Sequence, residues 1–274
     1  HRSKTLHRRR IVATERTDMS DQRHEIQDEF GISDIGSQLL QELAKGLYDP
    51  REVVREYVQN AVDAHRLWKD REGLEPKEPI QIELLDSGTL VFSDWGVGMD
   101  KEGIKNVKSI GVSKKDEAAT GLTGYKGVGI WAGLSFFNRL EIESTKKGSN
   151  TKYILELRFK DILESSHWGK NISLVLDPNF SIYSKSCNAQ SHYTKAKLIG
   201  PHTGEDTFTN INNLIQSVRE TCPCNLDQNN FGRYDEIQSW YDRNNIETYT
   251  IKVNGREVKK SYPSNIKEPE FGDV

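Results

Sequence analysis

The stretch EVVREYVQNAVDAHRLW (residues 52–68) decides the fold that we expect for this chain. Its apolar side chains recur every three or four residues, which predicts an amphipathic helix. Asp49, Pro50 and Glu52 are start signals, because an Asp cap, an early Pro and a Glu three residues after the cap favour helix initiation. We expect this helix to run to about Lys69.

Three polar residues share one face of this predicted helix. Glu56, Asn60 and Asp63 follow one another at intervals of four and three residues, so their side chains lie in a row. An acid, an amide and an acid in a row are also typical of a solvated helix surface. These three residues alone therefore leave both interpretations open.

Two glycine-containing segments follow the helix. Asp94-Trp95-Gly96-Val97-Gly98-Met99 comes directly after a predicted strand and places a carboxylate beside a backbone that a ligand can approach closely. The second segment, GLTGYKGVG (residues 121–129), precedes the apolar residues 130–137, which we expect to be helical. Free backbone N–H groups at such a helix start suit an anion such as a phosphate. Each segment alone is also compatible with a turn that binds nothing.

The composition bounds the class of protein. The chain has 274 residues, 35% hydrophobic and 29% charged, which suits a globular domain with a sizeable core. Its formal net charge of -3 gives no overall basic field for nucleic acid, although a local basic patch remains open. No apolar run approaches the roughly 18 residues of a membrane span, and no signal-peptide pattern is present. We expect a cytoplasmic protein without a membrane partner.

The three cysteines, Cys187, Cys222 and Cys224, favour reduced thiols, because an odd number in a long chain does not form a disulfide framework.

Further elements follow from apolar patterning and turn signals. We predict helices at 35–47 and 211–219, and strands at 80–85, 89–93, 139–144, 152–159, 172–176 and 195–199. Asp86-Ser87-Gly88 and Asn254-Gly255 are hairpin signals. Residues 1–24 are expected to be a disordered leader or residues added for expression, and residues 225–274 to begin a transducer or middle domain.

In their order and spacing, the three segments resemble the N-terminal motifs of the GHKL ATPases, the superfamily of DNA gyrase, Hsp90, histidine kinases and MutL. The resemblance covers about residues 30–222 and includes Ala64 after the Asp and Met99 after the second Gly. Residues 46–56 and 125–129 look most like the Hsp90 family. The implied fold is the Bergerat ATP-binding fold, an α/β (α+β) two-layer sandwich with a mixed β-sheet covered on one face by helices. Its domain would span residues 25–224, with a lid at about residues 100–123.

The resemblance also implies ATP and Mg²⁺ as cofactors and gives roles to single residues. Glu56 would be the general base that activates water for attack on the γ-phosphate. Asn60 would bind Mg²⁺ through its amide oxygen, and Asp94 would accept the adenine amino group. The other nucleotide-binding residues would be Asp63, Ala64, Gly96, Val97, Gly98, Met99 and Thr194 at the adenine end and Lys114, Gly124, Tyr125, Lys126, Gly127, Val128 and Gly129 at the phosphates.

Some of these assignments leave alternatives. Lys114 and Lys126 either contact a phosphate or point to solvent. Tyr193 stands where the Hsp90 family usually has Gly, next to the Thr194 that would support the adenine.

The expected activity is Mg²⁺-dependent ATP hydrolysis that drives lid closure and homodimerisation of a larger, Hsp90-like protein. The alternative is an ATP-gated DNA clamp of the MutL, MORC or topoisomerase type, with a role in repair or defence. Histidine-kinase phosphotransfer is disfavoured because no helical hairpin with a phospho-accepting His precedes Ile35. A nucleotide sensor without turnover is disfavoured because binding alone does not need Glu56. The expected small-molecule partners are ATP and ADP, whereas a client protein or DNA is not identifiable from these residues.

Overall fold

The computed structural model describes residues 24–25, 40–46, 48–107, 129–168, 173–201 and 206–261. In these residues nine strands form one mixed sheet: β1 (His24–Glu25), β2 (Ile80–Leu84), β3 (Leu90–Asp94), β4 (Phe137–Thr145), β5 (Thr151–Leu157), β6 (Phe180–Ser186), β7 (Tyr193–Pro201), β8 (Ile251–Val253) and β9 (Arg256–Val258). Their order is β1-β6-β5-β4-β7-β3-β2-β8-β9, and the described pairs are antiparallel except the parallel pair β2–β8.

The helices lie between and after these strands: α1 (Pro50–Glu72), α2 (Lys101–Asn106), α3 (Phe159–Leu163), α4 (Ser173–Leu176), α5 (Asp206–Thr209), α6 (Ile211–Thr221) and α7 (Tyr234–Arg243). Residues 40–44 are also helical, and Leu40 and Leu43 are buried in the core, as the predicted helix at 35–47 requires. None of the helices that the structure describes is both long enough and apolar enough to cross a membrane.

Helix α1 begins where the sequence predicts. The Asp49 side chain accepts hydrogen bonds from the backbone N–H groups of Arg51 and Glu52, at 2.8 and 3.0 Å. The Glu52 carboxylate in turn accepts from the Asp49 N–H at 3.1 Å, which completes a capping box. The helix ends slightly beyond the predicted position, at Gly73, whose φ of 68° leaves the helical region.

The sheet has one apolar and one polar face. On β4, Leu140 and Ile142 are fully buried beneath the helices, whereas the alternate residue Glu141 pairs with Lys197 at 2.5 Å. Tyr57 of α1 stacks on Phe92 of β3 with 5.0 Å between the ring centroids, so α1 packs directly on the sheet. The predicted sandwich with helices on one face of a mixed sheet is confirmed.

Residues 130–137 differ from the prediction of a helix. They form a 3₁₀ turn at Gly129–Trp131 and further turns, and Phe137 already belongs to β4. A Cβ atom on Gly133 would lie 2.6 Å from Leu198 Cδ2, so this segment approaches the Leu198 side chain of β7 very closely. The short apolar run therefore packs as turns against the sheet.

Residues 172–176 were predicted as a strand. The described part of this range, Ser173–Leu176, is instead the short helix α4, followed by a 3₁₀ turn at Asp177–Asn179. The strand β6 comes after them, in a region for which no strand was predicted. Val175 is buried, and its carbonyl accepts a hydrogen bond from the Asn179 side chain at 2.8 Å. A short buried apolar run has the same pattern in a helix as in a strand, which explains the wrong prediction.

The C-terminal part of the described chain joins the same sheet. Asn254 and Gly255 have φ angles of 45° and 78°, the positive values that a tight hairpin needs, and they connect β8 to β9 as predicted. Because β8 pairs with β2, residues that we expected to begin a second domain supply an edge of this sheet. The start of a further domain within residues 225–274 stays a prediction.

Replacing Asp49 by Ala should lower the free energy of unfolding by about 1 kcal/mol, because two backbone N–H groups of α1 lose their acceptor. Urea unfolding followed by circular dichroism measures the change. Asp70→Ala removes an exposed carboxylate from the other end of the same helix and is the matched control. Equal stability of the two variants would contradict the assigned cap.

Candidate functional site

A buried carboxylate ends strand β3. Asp94 is only 5% exposed, and its Oδ1 accepts a hydrogen bond from the backbone N–H of Gly96 at 2.9 Å. Burial raises the pKa of Asp94 to about 7, and the Gly96 hydrogen bond partly offsets this rise. Within the described residues, the Asp94 carboxyl group is thus a buried acceptor with spare hydrogen-bonding capacity. Such a group suits recognition of a hydrogen-bond donor on a ligand.

Hydroxyl groups continue this row across the sheet. Asp94 of β3 is in register with Thr194 of β7, which is in register with Ser144 of β4. The Ser144 Oγ donates to the Tyr193 carbonyl at 2.7 Å and accepts from the Met99 N–H at 2.8 Å. It also lies 3.0 Å from the Thr194 Oγ1. Side chains directly opposite each other in neighbouring strands lie on the same face, so the carboxylate and both hydroxyls form one polar row.

Sequence analysis identified Asp94 and Thr194 but missed Ser144. The register of β4 against β7, which the sequence does not show, brings Ser144 into the row. The only signal in the sequence is a Ser that interrupts the apolar alternation of Leu140 and Ile142.

The glycines of residues 94–99 are required by close contacts. A Cβ atom on Gly96 would lie 2.4 Å from the backbone carbonyl of Ala64 in α1. Gly98 has a φ of 62°, and a Cβ atom there would lie 1.9 Å from the Thr145 carbonyl oxygen. The Val97 N–H donates to the Ala64 carbonyl at 3.2 Å. The loop is thus held between helix α1 and the end of β4, with no room for larger residues at the two glycines.

The loop is also supported from behind by aromatic and imidazole groups. Trp68 of α1 stacks on His192 with 3.7 Å between centroids, and the His192 Nδ1–H donates to the Gly96 carbonyl at 2.9 Å. His65 accepts the Trp95 N–H through Nε2 at 3.4 Å. Burial lowers the pKa of His65 to about 4, so this ring is neutral and can accept. Neither histidine was predicted as part of the site from the sequence.

The helix face contains the predicted catalytic residue. One Glu56 carboxylate oxygen accepts from the Arg55 guanidinium at 3.1 Å. The other, Oε2, lies so close to Gly129 that a Cβ atom there would be 2.5 Å away. The structure therefore brings the last residue of the glycine-rich segment 121–129 against Glu56.

The other two members of the helix face differ in exposure. Asp63 is buried, 2% exposed, and accepts a hydrogen bond from Gln59 at 3.4 Å. Asn60 is half-buried. The helix thus presents a buried carboxylate, Asp63, and two more accessible groups, the Asn60 amide and the Glu56 carboxylate, of which Glu56 lies against Gly129.

Part of the predicted site lies outside the described residues, namely Lys114, Gly124, Tyr125, Lys126, Gly127 and Val128. Of the predicted lid at 100–123, the structure describes the beginning, including helix α2. Asp100 caps α2 through the Gly103 N–H at 2.9 Å and forms an ion pair with Lys146 at 2.6 Å. The first residue of the predicted lid is thereby fixed to the turn between β4 and β5.

The donor set of the described residues limits the kind of metal site. Within them, no three His, Cys, Asp or Glu side chains come together closely enough to hold an ion. An amide oxygen such as that of Asn60 is a hard ligand of the kind that Mg²⁺ accepts when phosphates and water complete its coordination.

Comparison with known proteins gives one further finding. Residues 48–194 match the model of a protein family described as histidine kinase-, DNA gyrase B-, and HSP90-like ATPase. The matched range runs from just before the N-cap of α1 to Thr194. It therefore contains the polar row, the loop of residues 94–99 and the face of α1 with Glu56, Asn60 and Asp63. No curated protein matches the chain.

The neutral state of His65 predicts a pH-dependent stability. The pKa of His65 is lower in the folded state, so only the unfolded state takes up its proton just below pH 6.5. The stability that neutral His65 contributes to the folded state is present above pH 6.5 and is lost as the pH falls towards 4. When the pH is lowered from 7.5 to 5, protonation of His65 in the unfolded state should reduce the free energy of unfolding by about 1–2 kcal/mol.

Urea unfolding is measured at the two pH values in the wild type and in His65→Gln. The raised pKa of Asp94 changes the stability in the opposite direction over this range. The His65 contribution is therefore the change with pH in the wild type minus that in His65→Gln, which should lose it. His167→Gln replaces an exposed histidine and should keep it. If His65→Gln keeps the full pH difference, another group is responsible.

Proposed function

This chain belongs to the family of histidine kinase-, DNA gyrase B-, and HSP90-like ATPases, and we propose that it binds ATP with Mg²⁺ between α1 and the sheet and hydrolyses it. The observation that carries the proposal is the pairing of a buried acceptor, Asp94, with a separate accessible carboxylate, Glu56, beside the glycine-rich segment. Asp94 suits the amino group of a nucleobase. Glu56 suits the water that attacks a phosphate bound at the glycine-rich segment.

The adenine end is the polar row. Asp94 accepts a hydrogen from the adenine amino group, and Thr194 supports the same edge. Guanine has a carbonyl oxygen at that edge, so two acceptors would face each other and guanine would bind less well. Gly96 and Gly98 let the backbone approach the base. Ala64, Val97 and Met99 pack on the base, and Asp63 supports the pocket through Asp94 or water.

The phosphate end lies where Glu56 meets Gly129. The backbone N–H groups of residues 124–129 cradle the phosphates, with Lys114 and Lys126 as additional phosphate contacts. Glu56 orients and deprotonates the attacking water, an effect typically worth about 10²–10⁴-fold in rate. The presence of this carboxylate favours hydrolysis over binding alone, because binding does not require a base.

Asn60 holds the Mg²⁺ through its amide oxygen, on the same face of α1 as Glu56. When bound, the ion neutralises charge on the phosphates. Asn60 is half-buried and lies on a long capped helix, so its side chain needs little further ordering when it binds the ion.

Lid closure couples the nucleotide to the rest of the protein. Residues of about 100–123 fold over ATP, and the closed state forms a homodimer in the manner of Hsp90. The ion pair between Asp100 and Lys146 supports this proposal, because it joins one end of the segment to the turn between β4 and β5.

Glu56→Ala should abolish ATP turnover and preserve ATP binding, because the residue acts on the water and not on the nucleotide. Steady-state phosphate release and calorimetric ATP titration measure the two properties. Asp70→Asn removes one exposed carboxylate charge at the other end of α1 and should leave both unchanged. Unchanged hydrolysis by Glu56→Ala would refute the base assignment.

Asp94→Asn should weaken ATP binding by about 10- to 100-fold, the value of a hydrogen bond to a charged acceptor. Calorimetry gives the affinity, and thermal unfolding shows whether the fold is intact. Asp86→Asn, at an exposed position in the turn between β2 and β3, is the matched control. Native ATP affinity in Asp94→Asn would exclude the residue from the adenine site.

A further inference from the structure

The hydroxyl group of Ser144 is fully used within the protein. A hydroxyl has one hydrogen to donate and two lone pairs that accept. Its hydrogen goes to the Tyr193 carbonyl, which can only accept, and one lone pair receives the Met99 N–H, which can only donate. The contact with Thr194 at 3.0 Å therefore has a single possible direction: Thr194 donates and Ser144 accepts.

This direction decides what Thr194 can offer a ligand. Its one hydrogen is committed to Ser144, so its oxygen retains only lone pairs for other partners. Thr194 stands between Ser144 and Asp94 in the row, and among the described residues no hydrogen bond joins it to Asp94. The end of the row consequently presents two neighbouring acceptors, the Asp94 carboxylate and the Thr194 hydroxyl oxygen.

Two adjacent acceptors fit an amino group and oppose a carbonyl oxygen. The exocyclic amino group of adenine has two hydrogens, whereas guanine has an oxygen at that position. A Thr194 hydroxyl that was free to rotate could donate to this oxygen and accommodate guanine. The committed hydroxyl cannot do so without losing its hydrogen bond to Ser144.

We propose that Ser144, by fixing the direction of the Thr194 hydroxyl, is a specificity-determining positioning residue that favours adenine over guanine. It is fully buried, and it acts on the nucleotide through Thr194. The inference rests on the proposed function, since it concerns the base at the same site.

The test is the ratio of the ATP and GTP affinities, measured by calorimetry with Mg²⁺. Ser144→Ala frees the Thr194 hydrogen, so the preference for ATP over GTP should fall about three- to tenfold, the value of one neutral hydrogen bond. Ser144→Cys is a second variant of nearly the same size, whose thiol is a weak acceptor, and it should lower the ratio in the same direction if the alanine variant does not fold. Ser184→Ala makes the same substitution at the position of β6 that is in register with Ser144 but two strands away from it, outside the polar row, and should leave the ratio unchanged.

A double-mutant cycle separates this role from simple anchoring of the loop, because Ser144 also holds the Met99 N–H. In a Thr194→Val background, which has no hydroxyl to direct, adding Ser144→Ala should no longer change the ratio. If Ser144→Ala weakens ATP and GTP equally, Ser144 only anchors the loop and the inference is wrong. If the wild type binds neither nucleotide, the proposed function fails as well, whereas an ATP preference that survives in Ser144→Ala refutes this inference alone.

Discussion

The contact between the loop after β3 and helix α1 is the constraint on which the site depends. Gly96 lies against the Ala64 carbonyl so closely that any side chain would overlap it, and the Val97 N–H bonds to the same carbonyl. This contact fixes the helix along its own axis relative to the sheet. Because Glu56 is about two helical turns from Ala64 on the same rigid helix, the contact also sets the distance between the Glu56 and Asp94 carboxylates.

The polar groups around this contact are costly to bury, and the structure limits the cost in different ways. Asp94 keeps one backbone hydrogen bond, and its pKa rises to about 7, so its charge is only partly stabilised before a ligand binds. His65 avoids the cost by staying neutral and accepting a backbone N–H. Ser144 has all its hydrogen bonds satisfied. Of these three groups, Asp94 is therefore the least satisfied, and it is the one proposed to face adenine, where a ligand can complete its hydrogen bonding.

The parts of the fold that depend on local interactions could be predicted from the sequence. The capping box at Asp49 and the hairpin at Asn254-Gly255 involve residues only a few positions apart, and the structure has both. The residues that could not be predicted are fixed by distant partners: Ser144 by the register of β4 on β7, and His192 by its stacking on Trp68. The wrong helix at 130–137 has a similar cause, since Gly133 meets Leu198 across the core and a periodic pattern does not record such a contact.

The position of β7 has a consequence for synthesis of the chain. This strand lies between β3 and β4 in the sheet, although it follows both in sequence. Thr194 is translated a hundred residues after its register partner Asp94, an interval of about 5–20 s at the usual rate of about 5–20 residues per second. Until β7 joins the sheet between β3 and β4, the centre of the sheet is open and the polar row lacks Thr194. A nucleotide bound at the proposed site can therefore stabilise only chains that have passed this point, and the early steps of folding proceed without it.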